Sequence, residues 1–125
     1  MTSRRVLVVD DDEAIREIAA VSMRAVGGHD VQTAASGAEA LLLAAAQPPE
    51  VILLDVMMPE LDGPTTALRL QDDERSRGIP VILLTAKVQA RETARLGRVQ
   101  GVRGIIAKPF DPMTLPQQVD EILGW

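Results

Sequence analysis

The chain has 125 residues with a net charge of -5, 46% hydrophobic and 25% charged residues, and no cysteine. That length holds one ordinary domain with a real core, the balance excludes disorder, and the missing cysteine excludes a disulfide framework or a thiolate metal site. The acidic balance argues against non-specific nucleic-acid binding and favours cations or basic partners; no apolar run approaches the roughly 18 residues of a membrane span, and "MTSRR" does not lead into a signal peptide's apolar core, so a cytoplasmic protein with no membrane contact is expected.

Strand and helix patterns alternate five times. Val6 to Val9 is a short apolar run that ends on three aspartates, Asp10, Asp11 and Asp12, and a helix is expected from Glu13 to Ala25, with Ile15, Ile18 and Ala19 at helical spacing. "GGHD" breaks the chain, "VQTAA" reads as a second strand, and Ser36 precedes an Ala- and Leu-rich helix to about Gln47, which Pro48-Pro49 stops. "VILLD" ends at Asp55, "MPELDGP" is a loop, and a helix is expected from Pro64 through Arg75. "IPVILLTA" is the fourth strand, and the charged helix around Gln89 to Leu96 should be the least tightly buried. "VRGIIAKPF" is the fifth strand, and Thr114-Leu115-Pro116-Gln117 reads as a capping-box start to a helix through Leu123.

Runs that are apolar on both faces belong in a parallel sheet covered on both sides, and right-handed crossovers make it doubly wound. Ligands of such sheets lie beyond the carboxyl ends of the strands. Those ends carry Asp10, Asp11 and Asp12 on the first strand, Asp55 on the third, Thr85 on the fourth and Lys108 on the fifth. Converging carboxylates repel unless a cation neutralises them, and an oxygen-only set selects a hard ion such as Mg²⁺. A metal, an ammonium and a hydroxyl around one carboxylate are what phosphoryl transfer to that carboxylate needs, because the transition state spreads negative charge over three oxygens.

The motifs "VVDDD", "LLDVMMPELDG", "VILLTA" and "AKPF", in this order and spacing, resemble the response-regulator receiver domain of two-component signalling, a flavodoxin-like (βα)5 fold shared with the chemotaxis response regulator. The likeness runs from Arg5 to about Leu123 and implies a single receiver domain over residues 1–125. It implies that Asp55 takes a phosphoryl group from a histidine kinase or histidine phosphotransfer protein, with Asp55, Asp11 and the Met57 backbone carbonyl binding Mg²⁺ directly and Asp10 acting mainly through a metal-bound water. It further implies that Lys108 pairs with the acyl phosphate, that Thr85 swings its hydroxyl toward a phosphoryl oxygen, and that the chain is no enzyme beyond its own phosphorylation and dephosphorylation. Asp12 is better placed as the cap of the first helix.

One departure concerns the switch. Many receivers carry Tyr or Phe three residues before the lysine, where this chain has Ile105, so aromatic rotation cannot be its readout. Lys87 and Met57 are expected to tune phosphoryl lifetime. Pro109 is expected to be cis and to fix the lysine's direction. Met57-Met58 reads as a loop packing pair, His29 and Arg103 as residues outside the chemistry. Kinase choice is expected to lie on helix one and the loop after strand five, with Ile15, Ile18, Ala19 and Phe110 as candidates, and output on helix four, strand five and helix five, through a downstream protein or a homodimer. The ending "EILGW" reads as a finished helix and favours a free-standing protein. Two alternatives compete: a pseudo-receiver that only binds a partner, which the complete acidic set opposes, and a haloacid-dehalogenase-type hydrolase, which needs an Asp where Met57 stands.

Overall fold

In a computed structural model, whose described residues are 3–86 and 89–125, the elements are β1 (Arg5–Val9), α1 (Glu13–Val21) continuing into a wider π-helical turn (Ser22–Val26), β2 (Asp30–Ala34), α2 (Gly37–Ala46), β3 (Val51–Asp55), α3 (Gly63–Gln71), β4 (Val81–Thr85), α4 (Ala90–Gly97), β5 (Val102–Ala107) and α5 (Leu115–Leu123). All five strands are parallel, in the order β2-β1-β3-β4-β5. The sheet is the doubly wound one expected from the alternating pattern. Among the described residues no helix is long and apolar enough to cross a membrane.

Alternation along each strand divides the core. Leu7, Val9, Ile52, Leu54 and Leu83 point to the face covered by Ala40 and Ala44 of α2, Ala67 and Leu70 of α3 and Leu96 of α4. Val6, Val8, Leu53, Ile82 and Leu84 point to the other face, against Ala19 and Met23 of the first helix and Leu115 and Val119 of α5. Each fully buried aliphatic side chain contributes about 1.5–3 kcal/mol of hydrophobic stabilisation, so both faces must be covered. Leu96 is the one buried residue of α4, which makes this the loosest helix, as its charged sequence predicts.

Three helices start at the carboxyl edge of the sheet on side-chain caps: Asp12 accepts from the Ala14 and Ile15 amides, Ser36 from Glu39, and Asp62 from Thr65. The capping box expected at Thr114 is absent. Thr114 has φ -114° and ψ -6°, not the extended geometry of a side-chain cap, and Asp111 takes over: its carbonyl accepts the Leu115 amide at 2.9 Å and its carboxylate accepts the Met113 amide at 2.9 Å. Two boundaries also move. α3 stops at Gln71 rather than Arg75, where the Asp73 carboxylate binds the Arg75 amide and guanidinium and closes a turn. β5 stops at Ala107, and the Lys108–Pro109 bond beyond it is cis, as expected for that proline.

Candidate phosphoacceptor and metal site

The site follows from strand register. Val9 pairs with Leu54, so the next residues, Asp10 and Asp55, leave adjacent strands side by side, at the roughly 4.8 Å spacing of neighbouring strands. Leu84 pairs with Asp55 and Thr85 with Ala107, which puts Thr85 one step further along β4 and Lys108 immediately past β5. Four strands thus deliver their last residue, or the one just past it, to one edge.

Asp10 and Asp55 are 1% and 3% exposed, and Asp11 lies in solvent beside them. A carboxylate oxygen from each of the three lies within 4.8 Å of the others. The Lys108 ammonium reaches back across β4 and donates to Asp55 Oδ1 at 2.8 Å and to Asp10 Oδ2 at 3.2 Å. Burial raises the Asp55 carboxyl above the usual carboxylate range; the Lys108 hydrogen bond opposes the shift, and the negative charges of Asp10 and Asp11 add to it. Burial pulls the Lys108 ammonium down, but its hydrogen bond to Asp55 and the charges of Asp10 and Asp55 outweigh that and leave its pKa raised.

The surrounding turns are held by backbone bonds. Asp10 Oδ1 accepts the Asp12 amide at 2.9 Å, the Asp10 amide donates to the Ala34 carbonyl at 3.2 Å, and the Arg16 guanidinium donates to the Asp10 carbonyl at 2.9 Å. Lys108 is aligned by its own amide, which donates to the Thr85 carbonyl at 2.9 Å. At the start of α3, the Gly63 amide donates to Val56 O at 3.0 Å, and a Cβ on Gly63 would lie 2.4 Å from the Asp55 carbonyl oxygen. Only glycine lets that helix come so close.

Asp10, Asp11, Asp55 and Lys108 come together, with Thr85 buried at the same edge. Their carboxylates form a hard, oxygen-only donor set that fits Mg²⁺. Of the methionine pair, Met58 is buried but the Met57 side chain stands in solvent, so they do not pack as a pair. Ile105 is half-buried against the α2–α4 core. Lys87 lies outside the described residues. Ala19 is fully buried in the core and cannot touch a partner, whereas Ile18 is 47% exposed. Arg103 is exposed, and His29 sits at the opposite edge, where Nδ1 accepts the Arg4 amide. Sequence reasoning missed Gly63 and Arg16. The "DGP" triplet was the available signal for the glycine, whereas nothing local marks Arg16.

Residues 6–120 match the family of the response regulator receiver domain. The chain is similar to the DNA-binding dual master transcriptional regulator RpaA of Synechocystis, 37% identical over 95% of this chain and 48% of that protein, and to the response regulator PleD of Caulobacter vibrioides, 42% identical over 90% of this chain and 24% of PleD. It therefore spans about half and about a quarter of those relatives. Protein PilH of Pseudomonas aeruginosa is 35% identical over 96% of this chain and 98% of its own length. Among solved structures, the chemotaxis response regulator CheY4 of Vibrio cholerae superposes with a TM-score of 0.88 at 30% identity, over 97% of this chain and 99% of CheY4.

Proposed function

The chain belongs to the response regulator receiver domain family of two-component systems, and from that premise we propose that Asp55 accepts a phosphoryl group from the phosphohistidine of a cytoplasmic kinase or phosphotransfer protein. The observation that supports this most is the buried Asp55 carboxylate, flanked by Asp10 and bridged to it by Lys108.

Asp55 attacks phosphorus in line; the O–P bond forms as the N–P bond to the donor imidazole breaks, and the imidazole, already carrying a proton on its other ring nitrogen, leaves neutral. Mg²⁺, when bound, neutralises the carboxylates and the phosphoryl oxygens between which charge develops. Asp11 and Asp55 would hold it directly, with the Met57 backbone carbonyl, and Asp10 through a water. Asp10 also keeps the Asp10–Asp12 turn closed through the Asp12 amide. Lys108 exchanges carboxylate partners for the new phosphoryl oxygens, and Thr85 turns its hydroxyl toward them. Those charge-assisted bonds exist only in the phosphorylated state, so they bias the domain toward its active conformer. Moving a population from 1:99 to 99:1 takes roughly 5.5 kcal/mol of such preference. Lys87, two residues after Thr85 in the sequence, and Met57, two after Asp55, tune how long the phosphoryl group survives. In this scheme residues 1–125 act as one receiver domain that delivers its signal through α4, β5 and α5, to a downstream protein or a second copy.

The test is intact-protein mass after incubation with acetyl phosphate and Mg²⁺. One phosphoryl adduct is expected, absent from Asp55→Asn and from a chelated sample. No adduct on the wild-type chain with Mg²⁺ shown to bind would leave only a partner-binding module.

A further inference from the structure

Three of the four aspartates at the carboxyl edge are restrained by their own side chains. Asp55 and Asp10 are buried and share the Lys108 ammonium, and Asp12 accepts the Ala14 and Ile15 amides. Asp11 differs: its side chain stands in solvent and forms no hydrogen bond or ion pair among the described residues. Even so, one of its oxygens lies within 4.8 Å of an oxygen of Asp10 and of Asp55. Repulsion between like charges would turn a free carboxylate outward, so the direction of Asp11 is set by the backbone that carries it.

That backbone is held at the peptide joining Asp10 to Asp11. Arg16, in the first turn of α1, sends Nη1 back to donate to the Asp10 carbonyl at 2.9 Å. The peptide is planar, so any rotation that moves this carbonyl also swings the Asp11 backbone and the side chain on it. The acceptor is informative. Asp12 and Glu13 lie four and three residues before Arg16, the spacing at which a helical arginine ordinarily finds its carboxylate. Half-buried Arg16 forms no ion pair among the described residues and binds a neutral carbonyl instead. Its charge thus stays beside the acidic set without occupying a carboxylate oxygen, as the Lys108 ammonium does. The same helix holds a matched bond far from the site: Arg24 Nη2 donates to the Val31 carbonyl at 3.0 Å, at the amino end of β2.

We infer that Arg16 is a positioning residue for the divalent cation: through the Asp10 carbonyl it fixes the direction of Asp11, the one carboxylate of the set that no side chain holds. This rests on the reading of Asp10, Asp11 and Asp55 as a Mg²⁺ site. Groups that orient a metal ligand from behind commonly change affinity by about 10–100-fold when removed. Arg16 acts here through a main-chain carbonyl, one bond further from the ligand oxygen, which places its effect at the low end of that range.

The experiment titrates the full chain with Mg²⁺ alone, read from backbone amide chemical shifts, beside urea unfolding of the metal-free protein. Arg16→Met should raise the Mg²⁺ Kd about tenfold, and Arg16→Lys, which keeps a donor able to reach the carbonyl, only about threefold. Charge alone gives the opposite sign, because deleting a cation beside the site favours an incoming one. Arg24→Met should unfold at lower urea yet keep Kd within about twofold of wild type. In acetyl phosphate labelling, the deficit of Arg16→Met should close to within about twofold at saturating Mg²⁺, since Asp55, Thr85 and Lys108 are unaltered. An unchanged or lower Kd in Arg16→Met would overturn the positioning role. So would equal weakening in Arg24→Met, or a labelling deficit that saturating Mg²⁺ leaves in place. A wild-type chain that binds no Mg²⁺ would remove the metal site itself and the role of Arg16 with it.

Discussion

Replacing Lys108 with Met tests the electrostatics of the site most directly. The ammonium sits 2.8 Å from Asp55 and 3.2 Å from Asp10. At an effective dielectric near 20 those contacts correspond to about 6 and about 5 kcal/mol of gross attraction, most of it offset by dehydrating three charges. Removing the ammonium leaves two buried carboxylates no more than 4.8 Å apart, which repel by about 3.5 kcal/mol on the same scale. Breaking such a pair by deleting one partner costs about 3–5 kcal/mol net. Urea unfolding at pH 7.5 without Mg²⁺, followed by the fluorescence of Trp125, the single tryptophan, should therefore show a midpoint lower by about 2 M. The deficit has a pH signature. The raised pKa of Lys108 means that its stabilisation is complete below the ordinary 10.5 and disappears as pH rises through the folded value. At the acid end, one of the two carboxylates takes up a proton in the variant, repulsion vanishes, and the gap to wild type narrows. Mg²⁺ should also stabilise Lys108→Met more than wild type, because no ammonium competes for the same oxygens. A loss below about 1 kcal/mol at pH 7.5, or one that stays constant down to pH 5, would refute the argument.

Asp55→Asn should be more stable than wild type at pH 7.5. The Asp55 pKa is raised, so the native state binds its proton before the unfolded chain does and stability falls as pH climbs from 3.8 through the folded value; paired urea curves should show a flatter pH profile in the variant. Gly63→Ala should cost about 2–4 kcal/mol and slow acetyl phosphate labelling of Asp55, since its Cβ would stand 2.4 Å from the Asp55 carbonyl oxygen; a labelling rate equal to wild type would contradict that contact. Asp12→Ala should cost about 1 kcal/mol, because two amides lose their acceptor, whereas Thr114→Ala should stay within about 0.5 kcal/mol, and thermal melts of the two decide it. In Ile105→Ala, phosphorylation should still alter amide hydrogen exchange in α4, and an unchanged α4 would make Ile105 an obligatory relay.

Most of the site could be read in the sequence because each of its residues is the last of a strand or the first beyond it. Parallel strands in a doubly wound sheet end at one edge, so the order of Asp10, Asp55, Thr85 and Lys108 along the chain already implies that they share it. Position along a strand carries that information; direction of a long side chain does not. Nothing in "AKPF" says that the Lys108 ammonium bridges two carboxylates rather than pairing with one. Contacts between elements were equally invisible: Arg16 of α1 on the Asp10 carbonyl, Ser22 donating to the Pro112 carbonyl, and Arg4 on Trp125 each join residues whose local sequence is ordinary. The capping box at Thr114 failed for a related reason. The pattern was present, but Asp111, three residues earlier, had already bent the chain into a turn whose carboxylate holds the Met113 amide and whose carbonyl accepts the Thr114 and Leu115 amides at the start of α5.

The anchoring of α4 bears on how a chain with Ile105 can switch at all. Among the described residues α4 holds the core through Leu96 alone, and Ile105 packs on the same apolar cluster, together with Val99 and Val102. A branched aliphatic side chain cannot exchange a buried face for an exposed one as a tyrosine can, because it has no polar end to place in water. It can repack within the cluster. Thr85 closes β4 and α4 begins at Ala90, so in the proposed scheme a displacement of Thr85 would act close in sequence to a helix held by a single buried side chain. Loosely packed elements open at the low end of the free-energy range, and a switch draws on them for that reason. If Asp55 is phosphorylated as proposed, the weak attachment of α4 would offer a route for the switch, with Ile105 as a packing partner that follows the helix.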